Sequence, residues 1–273
     1  MFLKKEVGFK MKKRPNIGLA LSSGASRGLA HIGVIKTLEE NGIKPDFISG
    51  SSIGAMIGAF YCCSIDMDML IRICKNMRTD IWVDPAVSKK GILAGKKAEE
   101  FIRLLTKNKK IEDLELPLRI VATDLVKSKR YVFSSGYIWE AVRASISIPG
   151  IFCPVEIDGM ILVDGGVIDR VPASLVKDMG SDIVIAVDVT KGEHETIPKN
   201  FIEVIMQSLE TMENEIAKNC LIDADIYISP VIKDINPLDF TQVDLCIMEG
   251  VKATEEALPK IKEIINSFYE FSI

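Results

Sequence analysis

Short runs that are apolar throughout alternate in this chain with stretches whose apolar residues recur every three or four positions. Residues 16–21 (Asn-Ile-Gly-Leu-Ala-Leu), 46–49, 118–124, 129–133, 160–163 and 183–188 have the length of strands, and 224–229 is strand-like. Most of them lack polar alternation, so both faces of their sheet must be covered, as in a parallel sheet. Between them, Leu29, Ile32, Ile35 and Leu38 form one stripe of a helix over about 28–41, with Gly42 as its stop. A further helix opens at Ser52, others cover 138–147 and 172–179, and 201–219 and 244–271 are amphipathic. The alternation predicts an α/β fold with a mostly parallel central sheet. Residues 66–110 are helical but irregular, broken by Asp84-Pro85, Gly91 and Gly95, and are expected to form a cap or lid insertion. Residues 16–273, this insertion included, read as a single domain behind a basic extension over 1–15, with 200–273 as its C-terminal helical part.

Composition narrows the function classes. The chain has 273 residues and a net charge of -4, which argues against a nucleic-acid partner. Lys4, Lys5, Lys10, Lys12, Lys13 and Arg14 crowd its first fourteen positions. A solvated extension is the simpler reading, while an anionic membrane surface would gain about 1 kcal/mol for each basic residue near it. The six cysteines form no C-x-x-C pair and sit mostly in apolar stretches, as reduced thiols of a cytoplasmic protein do. Pro15-Asn16 follows the basic start where a secretory signal would have its apolar core. The most apolar segment, 53–65, is too short to span a bilayer, which needs about 20 residues.

Candidate chemistry centres on Gly50-Ser51-Ser52-Ile53-Gly54, a G-x-S-x-G pattern between an expected strand and an expected helix. Flanking glycines allow the sharp turn that lifts a serine hydroxyl above a sheet edge, at the positive end of a helix. The competing reading is a plain serine N-cap. A second strand-to-helix loop, Ser23-Gly24-Ala25-Ser26-Arg27-Gly28, offers backbone N–H groups suited to an oxyanion. A dinucleotide site would need a carboxylate at the end of the second strand, where the chain has Ser49-Gly50-Ser51. Gly91–Lys97 lacks the spacing of a phosphate-binding P-loop.

For a base, the chain offers only two histidines. His31 falls inside the first helix, where a packing role is expected. His194 completes a Ser…Asp…His order but stands in a polar loop between glutamates, where a solvated histidine serves equally well. Of the strand-end aspartates Asp124, Asp164 and Asp188, only Asp164 is followed by two glycines, Gly165 and Gly166, which permit close backbone approach. Direct contact between Ser52 and Asp164 would dispense with histidine, provided that desolvation raises the aspartate's pKa. A simple Asp-Gly-Gly turn is the alternative.

Together the segments 23–34, Gly50–Gly54, 144–152 (Ala-Ser-Ile-Ser-Ile-Pro-Gly-Ile-Phe) and 162–166 (Leu-Val-Asp-Gly-Gly) resemble the patatin-like phospholipases, particularly small bacterial members. The resemblance covers about 16–190. It implies a three-layer α/β/α sandwich and hydrolysis of acyl esters, typically of lipids, without metal or other cofactor. It further implies a Ser-Asp dyad, with Ser52 as nucleophile, Asp164 as proton acceptor and the 23–28 loop as oxyanion hole. A lipid or other acyl ester would be the partner, in the cytoplasm or at the inner membrane face. The chain departs from the family's G-x-G-x-x-G loop at Ser23 and Ala25, and a positive φ at Ala25 would cost on the order of 1 kcal/mol. A fold kept for regulation or scaffolding, with little turnover, is the rival expectation.

Overall fold

The computed structural model describes residues 14–77, 83–86, 88–190, 197–220, 223–233, 235 and 239–270. The basic extension therefore lies almost wholly outside the described residues. Strands β1 (Ile17–Leu21), β2 (Phe47–Ser51), β3 (Gly91–Leu93), β4 (Leu118–Asp124), β5 (Lys129–Phe133), β6 (Gly150–Phe152), β7 (Val155–Ile157), β8 (Met160–Asp164), β9 (Ile183–Val187) and β10 (Ile226–Ile228) alternate, among the described residues, with eight α-helices. These are α1 (Ala30–Glu40), α2 (Ile53–Cys62), α3 (Met67–Asn76), α4 (Lys96–Leu105), α5 (Ile138–Ser145), α6 (Ala173–Asp178), α7 (Phe201–Cys220) and α8 (Val243–Glu270).

The main sheet runs β10-β9-β1-β2-β4-β8-β7, with β5 on the other edge of β4, while β3 and β6 pair apart from it. The first five strands of that order are parallel, and β5, β7 and β8 are antiparallel additions. Sequence pattern does not separate these three from their parallel neighbours, because direction is set by pairing partners rather than by side-chain period. The fold is thus α/β with a mixed, mostly parallel sheet flanked by helices.

The side chains of β1 explain the layering. Ile17, Leu19 and Leu21 enter the large core shared with α1, α2, α5 and α8, whereas Ala20 joins Val171, Ala173 and Val176 beside α6 on the opposite face. That second layer sits close: a Cβ on Gly18 would come 2.7 Å from the Val176 Cβ. On the first face, α8 lies against α1 at backbone distance. A Cβ on Gly33 would meet the Ile247 carbonyl oxygen at 2.3 Å, and one on Gly250 the Ala30 oxygen at 2.2 Å.

The strand β4 determines where the site forms. Ile120 pairs with Gly50 of β2 on one edge and Phe133 of β5 on the other; Ala122 pairs with Asp164 of β8 and Tyr131 of β5. So β2 and β8 share one edge of β4 and approach from opposite directions. Their last residues, Ser51 and Asp164, oppose the adjacent residues Val121 and Ala122.

Candidate active site

Ser52 caps α2 with φ 53° and ψ -124°, a conformation rare for a residue with a side chain, and its hydroxyl makes no capping bond. The turn is possible because both flanking glycines lie against backbone. A Cβ on Gly50 would sit 2.5 Å from the Ala55 nitrogen, and one on Gly54 would sit 2.4 Å from the Leu21 oxygen. The Ser52 N–H donates to Ser145 Oγ at 2.8 Å, which ties the turn to the end of α5. Its freed hydroxyl donates to Asp164 Oδ2 at 2.5 Å.

Asp164 is held in turn. Its Oδ1 accepts from the Gly166 N–H at 2.8 Å, its N–H donates to Ser147 O, and its carbonyl accepts from Thr123 Oγ1 at 2.9 Å. Burial, reinforced by the negative charge of Glu213, raises its pKa from 3.8 to about 7. Hydrogen bonds from Ser52 and Gly166 and the charge of Arg170 pull the other way without prevailing.

The other described acid and base candidates, Asp124, Asp188 and His31, have partners of their own. Asp124 Oδ1 accepts from the Val126 and Lys127 N–H groups. Asp188 is engaged by Thr190 and by the Tyr227 hydroxyl. His31 is fully buried, with Nε2 2.9 Å from the Ser22 carbonyl oxygen. Burial lowers its pKa to about 4, so the ring is neutral and Nε2 carries the donated proton. His194 lies outside the described residues.

The 23–28 loop reaches the same cleft, which Ser23, Gly24, Ala25 and Arg27 line together with Ser52, Ile148, Asp164 and Arg170. Ala25 has φ 49° and opens a tight helical turn, Ala25–Leu29. The first N–H groups of such a turn lack acceptors within it. Ser26 is buried, and Gly28 packs under α2, where a Cβ would strike Ile53 Cγ2 at 2.1 Å. Gly165 likewise admits no side chain, since its Cβ would lie 2.5 Å from the Val121 oxygen.

Helix α7 closes the cleft with Met206, Leu209, Glu210 and Glu213. Glu210 pairs with buried Arg27, and Glu213 Oε2 lies 3.8 Å from the Arg170 guanidinium. Arg170 also donates to Asn214 Oδ1 at 2.6 Å, and among the described residues its Nε has no partner. Sequence reading did not single out Arg170, Glu210 or Glu213. No motif marks them, and α7 is distant in the chain from every segment it covers. The described part of 66–110, by contrast, contributes none of the residues that line this cleft.

Residues 19–177 match the family model for patatin-like phospholipases. An uncharacterized NTE family protein of Mycobacterium bovis is 39% identical over 182 residues, 66% of this chain and 50% of that protein. A lysophospholipase of Neurospora crassa is 30% identical over 281 residues, covering 91% of this chain but 18% of that protein. The chain therefore spans half or less of the length of these curated relatives. In fold, the crystal structure of VipD from Legionella pneumophila is similar with a TM-score of 0.66 at 13% identity, over 91% of this chain and 67% of that one.

Proposed function

The chain belongs to the patatin-like phospholipase family, and on that premise we propose that it is a serine acyl-ester hydrolase acting on lipids through Ser52 and Asp164. The observation that carries this reading is the 2.5 Å hydrogen bond between the two side chains, made by a serine in a strained turn and a carboxyl deprived of water. An aspartate at its ordinary pKa is a weak base, and one raised to about 7 suits proton transfer at neutral pH. Asp164 takes the hydroxyl proton as Ser52 Oγ attacks the ester carbonyl. Negative charge then develops on the carbonyl oxygen, beside the N–H groups at the start of the Ala25–Leu29 turn and the N-terminus of α2. Collapse expels the alcohol, which leaves with the proton. Asp164 next deprotonates a water that attacks the acyl carbon, and the proton returns to Ser52 Oγ as the acid is released. The NTE relatives named lysophospholipases support a lysophospholipid as the substrate.

The test is hydrolysis of a lysophospholipid and of a short soluble ester. Ser52→Ala and Asp164→Asn should each lower kcat by at least about 10³-fold, in the range seen when a nucleophile or its base is removed. His194→Ala should keep most of the activity. A fluorophosphonate should label the unaltered protein at Ser52 alone. Severe loss in the histidine variant would replace the dyad with a triad, and a folded but unlabelled protein would favour a regulatory role.

A further inference from the structure

Helix α7 turns a second apolar face outward, besides the one that lines the cleft with Met206 and Leu209. Its acids Glu210 and Glu213 point inward to the buried arginines of the cleft, while Phe201, Val204, Ile205 and Met212 are exposed, Phe201 by 68%. At 100° per residue these four fall within one stripe about 100° wide, centred about 140° around the helix from Met206, Leu209, Glu210 and Glu213, with Ile205 about 40° from Leu209. Exposed Ser208 is the polar position within the stripe, exposed Glu215 bounds it on the C-terminal side, and Ile197 just ahead of the helix is exposed as well. From Phe201 to Met212 the stripe runs about 16 Å at 1.5 Å per residue.

We propose that this outer face of α7 docks on a zwitterionic lipid surface and delivers acyl chains to the cleft beneath it. Continuity argues for lipid as the occupant. The helix that carries the apolar stripe also forms one wall of the cleft, and Ile205 of the stripe adjoins Leu209 of that wall, so a bilayer touching the stripe borders the cleft lining. The stripe itself carries no basic residue, which favours apolar insertion over attraction to anionic headgroups. This inference rests on the lipid hydrolase reading for its purpose, though the docking itself is measured without turnover.

The experiment is flotation of the full chain with vesicles of ether-linked phosphatidylcholine, which an esterase cannot cleave. The unaltered protein should float, and Phe201→Ser/Val204→Ser should bind at least tenfold less. That variant should keep the unaltered protein's melting temperature and its rate on a short soluble ester, but lose at least tenfold on vesicle-borne ester lipid. Failure of the unaltered protein to float would overturn the proposal, as would equal flotation of the variant. So would a stable dimer that the double substitution dissolves, because the face would then belong to a second copy. If the soluble ester is not cleaved while flotation behaves as stated, the hydrolase reading fails and the docking surface stands.

Discussion

At the scale of single residues, this site places an acid where water cannot reach it and lets the environment do the tuning. Asp164 gains basicity from burial first and from Glu213 second, so the pH dependence of kcat/KM should carry the mark of both. In the proposed dyad the carboxylate is the active form, and its share falls about tenfold per pH unit below the pKa. The acid limb should therefore break near pH 7, and Glu213→Gln should move the break to lower pH. Steady-state rates on a soluble ester between pH 5 and 9 measure it, and a break near 4 with no response to Glu213→Gln would contradict it. Ala25 is the opposite case, a residue whose backbone bears the cost. Its φ of 49° agrees with what the lost glycine of the loop implied, at about 1–2 kcal/mol.

Among the elements, the tight points are contacts between backbones. Gly54 lets the first turn of α2 rest on the end of β1, from which the 23–28 loop departs. A methyl group there meets two carbonyl oxygens, of Leu21 at 2.4 Å and Ser22 at 2.5 Å, and neither can yield like a flexible side chain. Gly54→Ala should cost about 1–3 kcal/mol in a urea titration. It should also lower kcat/KM about 100-fold, the usual cost of misplacing reacting groups by around an ångström. Strand and helix positions here were largely legible beforehand: β1, β9 and α1 emerge within a residue or two of where apolar runs and stripes put them. The short strands β3, β6 and β7 were not, because three residues hold too little pattern to register. Contact between Ser52 and Asp164 could be posed as a question, since the glycines around each mark special backbone. The wall formed by α7 could not, because only tertiary packing aims Glu210 and Glu213 at Arg27 and Arg170.

For the whole molecule, the buried acid is a standing cost. With a pKa near 7 when folded against 3.8 when free, Asp164 binds its proton more tightly in the native state. Its ionisation therefore weakens the fold progressively as pH rises from about 4 to 7, and fully above that. Asp164→Asn should be more stable than the unaltered protein by about 2–4 kcal/mol at pH 8 and nearly equal to it at pH 4. Denaturant titrations at both pH values test this, and equal stability at pH 8 would show that burial does not raise the carboxyl's pKa. The head-on meeting of β2 and β8 along one edge of β4 has a consequence in time as well. The turn that bears Ser52 is made early on the ribosome, yet its partner is 112 residues further on and α7 later still. Domains take shape during translation at roughly 5–20 residues per second. The nascent chain thus spends several seconds with an unpaired Ser52 hydroxyl, and the proposed chemistry can begin only as the last third emerges.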